Sequence, residues 1–363
     1  MSDSKLSAEP VPENPLALQG MAFVEFSAVD VAPIAALFRR LGFVETQRHP
    51  SRALGIWAQG GIRFLLNSEP GTHGHAFASA HGPSISAIAF RTANATVARD
   101  KALARGAARY SGLGRPTVDV PVLEGIGGSL LYLVDGEEWN RVCAGFSVAQ
   151  KPAPGESCGL VGVDHLTHNV RAGELERWVR YYKEVFGFHE IFYLEARGAA
   201  TGFRTKAMRS PCRGICIPIN EPTDQKSQIQ EFIDRYRGEG VQHVALSTPA
   251  IYDSVELLRR RDIPFMQVLD SYYDQVDARI PGHGENLQRL RATRVLIDGS
   301  RRSEDERWKL LLQIFSEPLV GPIFLELIQR AGNEGFGDAN ARALFEAIEQ
   351  EQVRRGALAA PLS

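Results

Sequence analysis

The feature that most constrains the fold of this chain is an internal repeat. Segments 38–45 and 182–190 read alike, because in each a helical stretch stops at a glycine and an extended stretch follows. Glycine commonly ends helices, since it adopts the left-handed conformation without strain. Segments 84–92 and 241–248 form a second pair, in which an apolar strand leads into a helical stretch. The chain therefore repeats one unit, in which a strand precedes a helix and more strands follow.

The repeats predict an α+β protein built from four βαβββ units. These predicted units cover residues 20–70, 84–135, 160–220 and 240–330. A stretch at 149–157 has the Pro, Ala and Gly content of a linker, which predicts two domains at 1–150 and 158–363. A last helix is expected at 342–354, and its apolar face needs a partner to pack against.

Composition narrows the class of protein. The 41 basic and 43 acidic side chains leave no large positive field for nucleic acid. No apolar run approaches the ~18 residues of a membrane span, and the first ten residues do not read as a signal peptide. Four cysteines in 363 residues are too few for a disulfide framework. We expect a cytoplasmic protein that acts on a small molecule, with neither membrane nor nucleic-acid partners.

Three ligand-type residues interrupt apolar strands of the second half: His165, His243 and Glu326. A carboxylate in the middle of an apolar strand is costly unless it is paired or binds a metal. Two imidazoles and one carboxylate form the facial triad of non-haem Fe(II) oxygenases, which leaves coordination positions open for substrate and dioxygen. The three residues therefore predict an iron site.

The first half serves as an internal comparison. Aligning the repeats places Phe23 opposite His165 and Ala87 opposite His243, so only the second half is predicted to hold a metal. His168 lies three residues after His165 and is expected on the opposite face of the strand, in a structural or exposed position. The remaining histidines considered fall in polar stretches and are expected to be solvated: His49, His73, His75, His81 and His283.

Several motifs of the second half resemble the bacterial 4-hydroxyphenylpyruvate dioxygenase family of the vicinal-oxygen-chelate superfamily. The match is dense over residues 164–169, 218–221, 227–230, 240–243, 312–315 and 335–337. It is thinner in the first half, where 124–129 is the best stretch. The resemblance implies vicinal-oxygen-chelate modules that form two open β-barrels, of which only the second binds iron, and a C-terminal helix that gates the site.

The resemblance also implies an activity. Members of this family are homo-oligomers, here expected to be a dimer or tetramer, that convert 4-hydroxyphenylpyruvate and O2 to homogentisate and CO2 in tyrosine catabolism. The substrate itself carries the 2-oxo acid that chelates Fe(II), so no separate 2-oxoglutarate is needed. His165, His243 and Glu326 match the family's iron ligands. Further matched positions imply a substrate pocket made of Thr205, Pro218, Asn220, Gln228, Gln242, Gln313, Phe315, Phe324, Phe336 and Asn340.

Some of these positions raise structural questions. Simple strand alternation points Gln242 away from the face of His243, so its place in the pocket requires a β-bulge. Thr205 stands where the family usually has Ser and keeps the hydroxyl. Ala341 stands where the family usually has Phe on the gating helix, which removes a large apolar group from the mouth of the site.

Three functions stay open at this point. The first is the homogentisate-forming dioxygenase, and the second is 4-hydroxymandelate synthase, a relative that uses the same substrate, iron and oxygen but hydroxylates the benzylic carbon. The third is a non-catalytic ligand-binding protein on the same scaffold. The intact set of three ligands argues against the third.

Overall fold

The computed structural model describes residues 13–149, 157–197, 201–301, 303 and 306–356. Most of the predicted linker, residues 150–156, lies outside these ranges. Among the described residues, no helix combines the length and the apolar character needed to cross a membrane.

The described residues of the first half form eight strands and four α-helices. In chain order they are β1 (Leu18–Ser27), α1 (Ala32–Arg40), β2 (Val44–Arg48), β3 (Leu54–Gln59), β4 (Ile62–Asn67), α2 (His73–His81), β5 (Ser84–Thr92), α3 (Ala95–Ala104), β6 (Val122–Glu124), β7 (Leu130–Val134), α4 (Gly136–Ala144) and β8 (Ser147–Val148). The strands form one sheet in the order β6-β7-β5-β1-β4-β3-β2-β8.

The second half repeats this arrangement with longer strands and inserted helices. In chain order its elements are β9 (Gly162–Asn169), α5 (Leu175–Phe186), β10 (His189–Arg197), β11 (Gly202–Arg209), β12 (Cys216–Pro222), α6 (Gln228–Tyr236), β13 (Gly240–Ser247), α7 (Ile251–Arg260), α8 (Asp270–Asp274), α9 (Val276–Arg279), α10 (Leu287–Thr293), β14 (Leu296–Ser300), β15 (Lys309–Phe315), β16 (Phe324–Ala331) and α11 (Asp338–Arg354). Its strands form a second sheet in the order β10-β11-β12-β9-β13-β16-β15-β14.

The predicted α+β class and repeat architecture are confirmed, with one exception. Three of the four units have the expected strand, helix and three strands. The second unit has only β6 and β7 after its helix, because residues 108–121 run largely as irregular chain and β8 pairs with β2 of the first unit instead. The last helix begins at Asp338 rather than at residue 342, since Gly337, with φ +70°, starts the helical turn there.

Helix α5 shows why these segments fold as they do. Its apolar residues recur at helical spacing and are buried: Leu175, Trp178, Val179, Tyr182, Val185 and Phe186. The helix ends at Gly187, which has the left-handed conformation predicted from the repeat (φ +73°). Apolar packing is continuous through both halves, so the two sheets share one large core.

Strand register confirms the alignment of the two halves. In the second sheet, His165 lies opposite Ala245, which lies opposite Glu326. In the first sheet the corresponding row is Phe23, Ala89 and Tyr132. Phe23 therefore matches His165 as predicted, and Tyr132 stands where the second half has Glu326.

In the first half, aromatic rings occupy the positions that correspond to His165 and Glu326 in the second half. The Phe23 ring stacks on Trp139 at 5.4 Å and lies 5.8 Å from the ring of Tyr132. No group of three potential metal ligands occurs here among the described residues. At these positions the side chains pack against one another.

A buried carboxyl group lies next to this aromatic core. Glu25 is 1 % exposed, and its Oε1 accepts hydrogen bonds from Thr117 Oγ1 (2.7 Å) and Asn67 Nδ2 (2.8 Å). Its Oε2 is buried without a hydrogen-bond partner among the described residues. Burial raises the pKa of Glu25 above its usual 4.5, although these hydrogen bonds act in the opposite direction.

We expect Glu25→Gln to make the protein more tolerant of alkaline pH. In the unfolded chain the Glu25 carboxyl ionises near its usual pKa of 4.5, whereas the folded protein keeps it neutral to a higher pH. The unfolded state thus gains stability as the pH rises through this window, and the free energy of unfolding falls. Glutamine has nearly the same shape and does not ionise. We expect denaturant unfolding to show that the free energy of unfolding of the variant, relative to the wild type, is higher at about pH 8 than at about pH 5. The same difference between variant and wild type at both pH values would contradict this.

Candidate metal centre

The second sheet brings His165, His243 and Glu326 together in its interior. The Nε2 of His165 lies 3.1 Å and the Nε2 of His243 lies 3.4 Å from the same oxygen, Oε2 of Glu326. One donor atom from each residue lies within 4.8 Å of the others. All three residues are buried, with at most 5 % of their surface exposed.

Neighbouring strands place these side chains on one face. Strands β9, β13 and β16, which carry the three residues, lie side by side in the sheet. Glu326 pairs with Ala245, which lies two positions after His243 on β13. Ala245 leaves room between His165 and Glu326, because its side chain is a single methyl group. The strand pairing therefore converts three distant sequence positions into one cluster.

Each histidine is held through its second nitrogen. The Nδ1 of His165 lies 2.8 Å from Asp164 Oδ1, and the Nδ1 of His243 lies 3.0 Å from Gln242 Oε1. An acceptor at Nδ1 fixes the proton there and leaves Nε2 free to bind a metal. The pairing of β13 with β9 shifts register between Val241 and His243, which is the bulge that the position of Gln242 required.

The electrostatics of the cluster suit a cation. Burial lowers the pKa of His165, but the carboxylates of Glu326 and Asp164 outweigh it and raise this pKa to about 9. Burial raises the pKa of Glu326, but the two histidines outweigh it and lower this pKa to about 2. Burial also lowers the pKa of His243. The buried negative charge of Glu326 thus needs a positive partner, and a divalent cation between the three donors fits that requirement.

A cavity opens onto the three candidate ligands. Eight of the ten residues predicted to form the substrate pocket line it: Thr205, Pro218, Asn220, Gln228, Gln242, Gln313, Phe315 and Phe336. Because these residues come from strands across the sheet and from α6, the sheet must curl around the cavity. Ala341, Leu344 and Phe345 of α11 close one side, which gives the predicted apolar face of the last helix its partner.

Two predicted pocket residues do not line this cavity. Phe324 stacks on the ring of His243 at 4.7 Å and borders a neighbouring cavity instead. Asn340 is fully buried, and its Nδ2 donates to Oε1 of Gln313 at 2.8 Å. Phe324 therefore packs behind the ligand candidate His243, and Asn340 lies behind Gln313 of the cavity wall.

The polar groups of the cavity fall into two sets. Both ends of the Gln313 amide are used within the protein, since its Nε2 donates to Glu326 Oε1 at 2.8 Å. By contrast, three groups have no hydrogen-bond partner among the described residues: the Thr205 hydroxyl, Oδ1 of Asn220 and the Gln228 amide. These three are available to a ligand.

Several lining residues were not anticipated from sequence: Thr167, Phe192, Phe203, Ile229, Leu344 and Phe345. Thr167 had a detectable signal, because it lies two positions after His165 and therefore faces the same side of its strand. Its hydroxyl lies 2.9 Å from Nε2 of His243. The aromatic residues carried no such signal, since a pocket wall and a core position look alike in sequence.

The structure corrects part of the prediction for the other histidines. His168 is structural as expected, fully buried with its Nε2 3.4 Å from the Tyr182 hydroxyl. His73 and His283, expected to be solvated, are buried. Their imidazoles bond to Tyr110 and Asp277. The polar residues around these two histidines gave no indication of the contacts that bury them.

Comparison with known families matches both halves of the chain. Residues 12–143 match the family described as "Hydroxyphenylpyruvate dioxygenase, HPPD, N-terminal". Residues 162–276 match the "Glyoxalase/Bleomycin resistance protein/Dioxygenase superfamily". The second match includes two of the three clustered ligands, His165 and His243.

Similar proteins extend over nearly the whole chain. A 4-hydroxyphenylpyruvate dioxygenase of Pseudomonas aeruginosa is 44% identical, with 95% of this chain and 97% of the relative covered. A Vibrio vulnificus protein named hemolysin VllY is also 44% identical, with 95% and 98% covered.

A solved structure also matches. A mutant of the 4-hydroxymandelate synthase from Streptomyces coelicolor is 25% identical with a TM-score of 0.78, and the match covers 92% of this chain and 99% of that one. The buried His-His-Glu group, the curled sheet around it and these full-length similarities agree with one another, and the chain belongs to the 4-hydroxyphenylpyruvate dioxygenase family of enzymes.

Proposed function

We propose that this protein is a non-haem Fe(II) dioxygenase that converts 4-hydroxyphenylpyruvate and O2 to homogentisate and CO2. The observation that carries the proposal is the buried group of His165, His243 and Glu326, which faces a cavity lined by aromatic rings and neutral amides. Apart from the three ligands, no charged side chain among the described residues lines this cavity.

Iron is the cation that this donor set favours in an oxygenase. Two imidazoles and one carboxylate on one face would leave positions open on an Fe(II) held by these residues, and the metal would supply chelation of the 2-oxo acid and activation of O2 there. The single carboxylate leaves the site with a formal charge of +1, which suits an anionic chelating substrate. The Gln242 and Asp164 acceptors keep both ligating nitrogens pointed at the site.

The chain's own residues then orient the aromatic ring. Oδ1 of Asn220 can only accept a hydrogen bond and the Thr205 hydroxyl can donate or accept, so together they can satisfy a phenol without fixing a charge beside it. Phe315 and Phe336 supply flat apolar surfaces to the cavity, and Phe336 contacts the His165 ring edge-on at 5.3 Å. The residues of α11 exclude water from the remaining side.

The reaction is balanced without a second organic substrate. The 2-oxo acid loses its carboxyl group as CO2, and one atom of O2 completes the carboxylate of the shortened side chain. The other atom becomes the new ring hydroxyl, while the side chain migrates to the adjacent carbon. Oxidative decarboxylation of the 2-oxo acid supplies two of the four electrons that reduce O2, and hydroxylation of the ring supplies the other two. No separate 2-oxoglutarate is therefore consumed.

Product analysis tests the proposal directly. We expect the protein, loaded with Fe(II) and given 4-hydroxyphenylpyruvate, ascorbate and air, to release homogentisate and one equivalent of CO2. Chromatography against standards separates this product from 4-hydroxymandelate. Mandelate as the main product would favour the synthase reaction, and no turnover by the iron-loaded protein would favour a ligand-binding role.

The two free polar groups of the ring pocket make a further prediction. Asn220→Leu and Thr205→Val each remove a polar contact at little cost in volume, so we expect kcat/KM for 4-hydroxyphenylpyruvate to fall about 10- to 100-fold, equivalent to about 1–3 kcal/mol. Phenylpyruvate lacks the phenol and serves as the matched control. Its kcat/KM should change much less in both variants, and an equal loss for the two substrates would show that these side chains do not contact the phenol.

A further inference from the structure

We propose that the segment leading into the C-terminal helix positions two of the three metal ligands, so that metal binding and docking of α11 are coupled. This docking segment comprises residues 333–340, which join β16 to the first turn of α11. Two separate hydrogen-bond relays run from it to Glu326 and to His165. The inference rests on the proposed metal site and adds positioning residues to it.

The first relay starts on α11. Nδ2 of Asn340 donates to Oε1 of Gln313 (2.8 Å), and Nε2 of Gln313 donates to Oε1 of Glu326 (2.8 Å). The other carboxylate oxygen, Oε2, is the one that faces both histidines. The relay thus holds Glu326 by one oxygen and leaves the other pointed at the metal position.

The direction of this relay is fixed by chemistry. An ionised carboxylate can only accept hydrogen bonds, so Gln313 must present its NH2 group to Glu326 and its oxygen to Asn340. Asn340 must therefore present its own NH2 group, which turns its Oδ1 toward Tyr272. The Tyr272 hydroxyl lies 2.6 Å from that oxygen and 2.7 Å from the carbonyl oxygen of Ile297, so its single proton is shared between two acceptors. The orientation of the two amides does not depend on that proton, and through Gln313 it links Asn340 to a ligand that Asn340 does not touch.

The second relay ends on His165. Arg330 makes a two-pronged contact with Asp164, from Nε to Oδ2 (2.7 Å) and from Nη2 to Oδ1 (2.9 Å), and Oδ1 of Asp164 holds Nδ1 of His165. The remaining nitrogen, Nη1, donates to the carbonyl oxygens of Gly335 (2.6 Å) and Asn333 (3.1 Å). Arg330 therefore bonds both to the docking segment and to Asp164, the carboxylate that orients His165.

Coupling follows from these two relays by thermodynamic linkage. If the docked segment improves the orientation of Glu326 and His165 for a metal, a bound metal must stabilise docking by the same factor. Groups that orient metal ligands from behind typically change metal affinity by about 10- to 100-fold when they are replaced. Asn340, Gln313, Arg330 and Asp164 are thus positioning residues.

The test uses the full-length protein and Co(II) as a metal that air does not oxidise. We expect Asn340→Leu and Arg330→Lys each to weaken Co(II) binding about 10- to 100-fold in a chelator-competition titration. Lysine keeps the charge beside Asp164 but cannot reproduce the two-pronged contact or reach both carbonyl groups. Glu349→Leu is the matched control, because it removes contacts of the same helix with Thr201 (2.9 and 3.0 Å) without touching either relay. Its Co(II) affinity should stay within about threefold of the wild type.

Hydrogen exchange supplies a second measurement that a purely structural role would leave unchanged. Co(II) should slow amide exchange across residues 338–348 in the wild type and in the control, but not in Asn340→Leu. The coupling would be overturned if Asn340→Leu bound Co(II) as tightly as the wild type. It would also be overturned if Co(II) did not change amide exchange of α11 in the wild type. Either result would leave the proposed metal site intact. A wild-type protein that binds no Co(II) or Fe(II) at all would instead overturn the proposed function.

Discussion

Replacing His165, His243 or Glu326 by alanine is expected to abolish turnover. Two remaining ligands cannot hold Fe(II) against solvent in the facial arrangement, and the loss of a metal that contributes several kcal/mol lowers the rate on the order of a thousandfold or more. Iron content of the purified variants and product formation should fall together. Glu326→Gln, which keeps the shape but removes the negative charge, should lose iron as well.

The first half offers a matched control for these variants. Phe23 occupies the position equivalent to His165 in the other sheet. We expect Phe23→Leu to cost about 1–2 kcal/mol of stability and to leave iron binding and kcat unchanged. A ligand variant that keeps both its iron and its turnover would show that the cluster is not the reaction centre.

Removing α11 is expected to have the second-largest effect. A chain that ends at Gly337 retains the sheet and the Arg330 contacts with Asn333 and Gly335 but loses the helical wall of the cavity. Water then enters the site, and oxygen consumption should no longer be matched by homogentisate. Loss of Asn340 should weaken metal binding in the same chain, so the comparison is made at saturating Fe(II).

A chain that ends at Gly356 is the control for this truncation, because it keeps all of α11. It should consume one O2 for each homogentisate, as the full chain does. Circular dichroism and thermal unfolding establish that the shorter chain is folded. If the chain ending at Gly337 is folded and still couples oxygen uptake to product, α11 is not needed to close the site.

Much of the fold could be predicted from the sequence because its signals are local and repeated. Helical periodicity in α5 and the glycine that ends it depend on residues within a few turns of one another. The candidate metal ligands could also be predicted, since a histidine or glutamate within an apolar strand has few stable alternatives to binding or pairing. The missing strand of the second unit was not predicted. Residues 108–121 form only isolated bridges there, Arg109 with Leu123 and Arg115 with Thr72.

The repeat, the strand-forming segments and the three candidate ligands can be predicted from residue type and spacing alone. Which side chains contact one another depends on the tertiary structure. It brought Asn340 and Gln313 into one relay although 27 positions separate them, and it placed Arg330 against Asp164 across 166 positions. It also pairs both ends of the Gln313 amide within the protein, whereas Oδ1 of Asn220 and the Thr205 hydroxyl have no hydrogen-bond partner among the described residues. Hydrogen bonds have direction and short range, so partners are chosen by where the folded strands put them, and no local pattern in the chain records that choice.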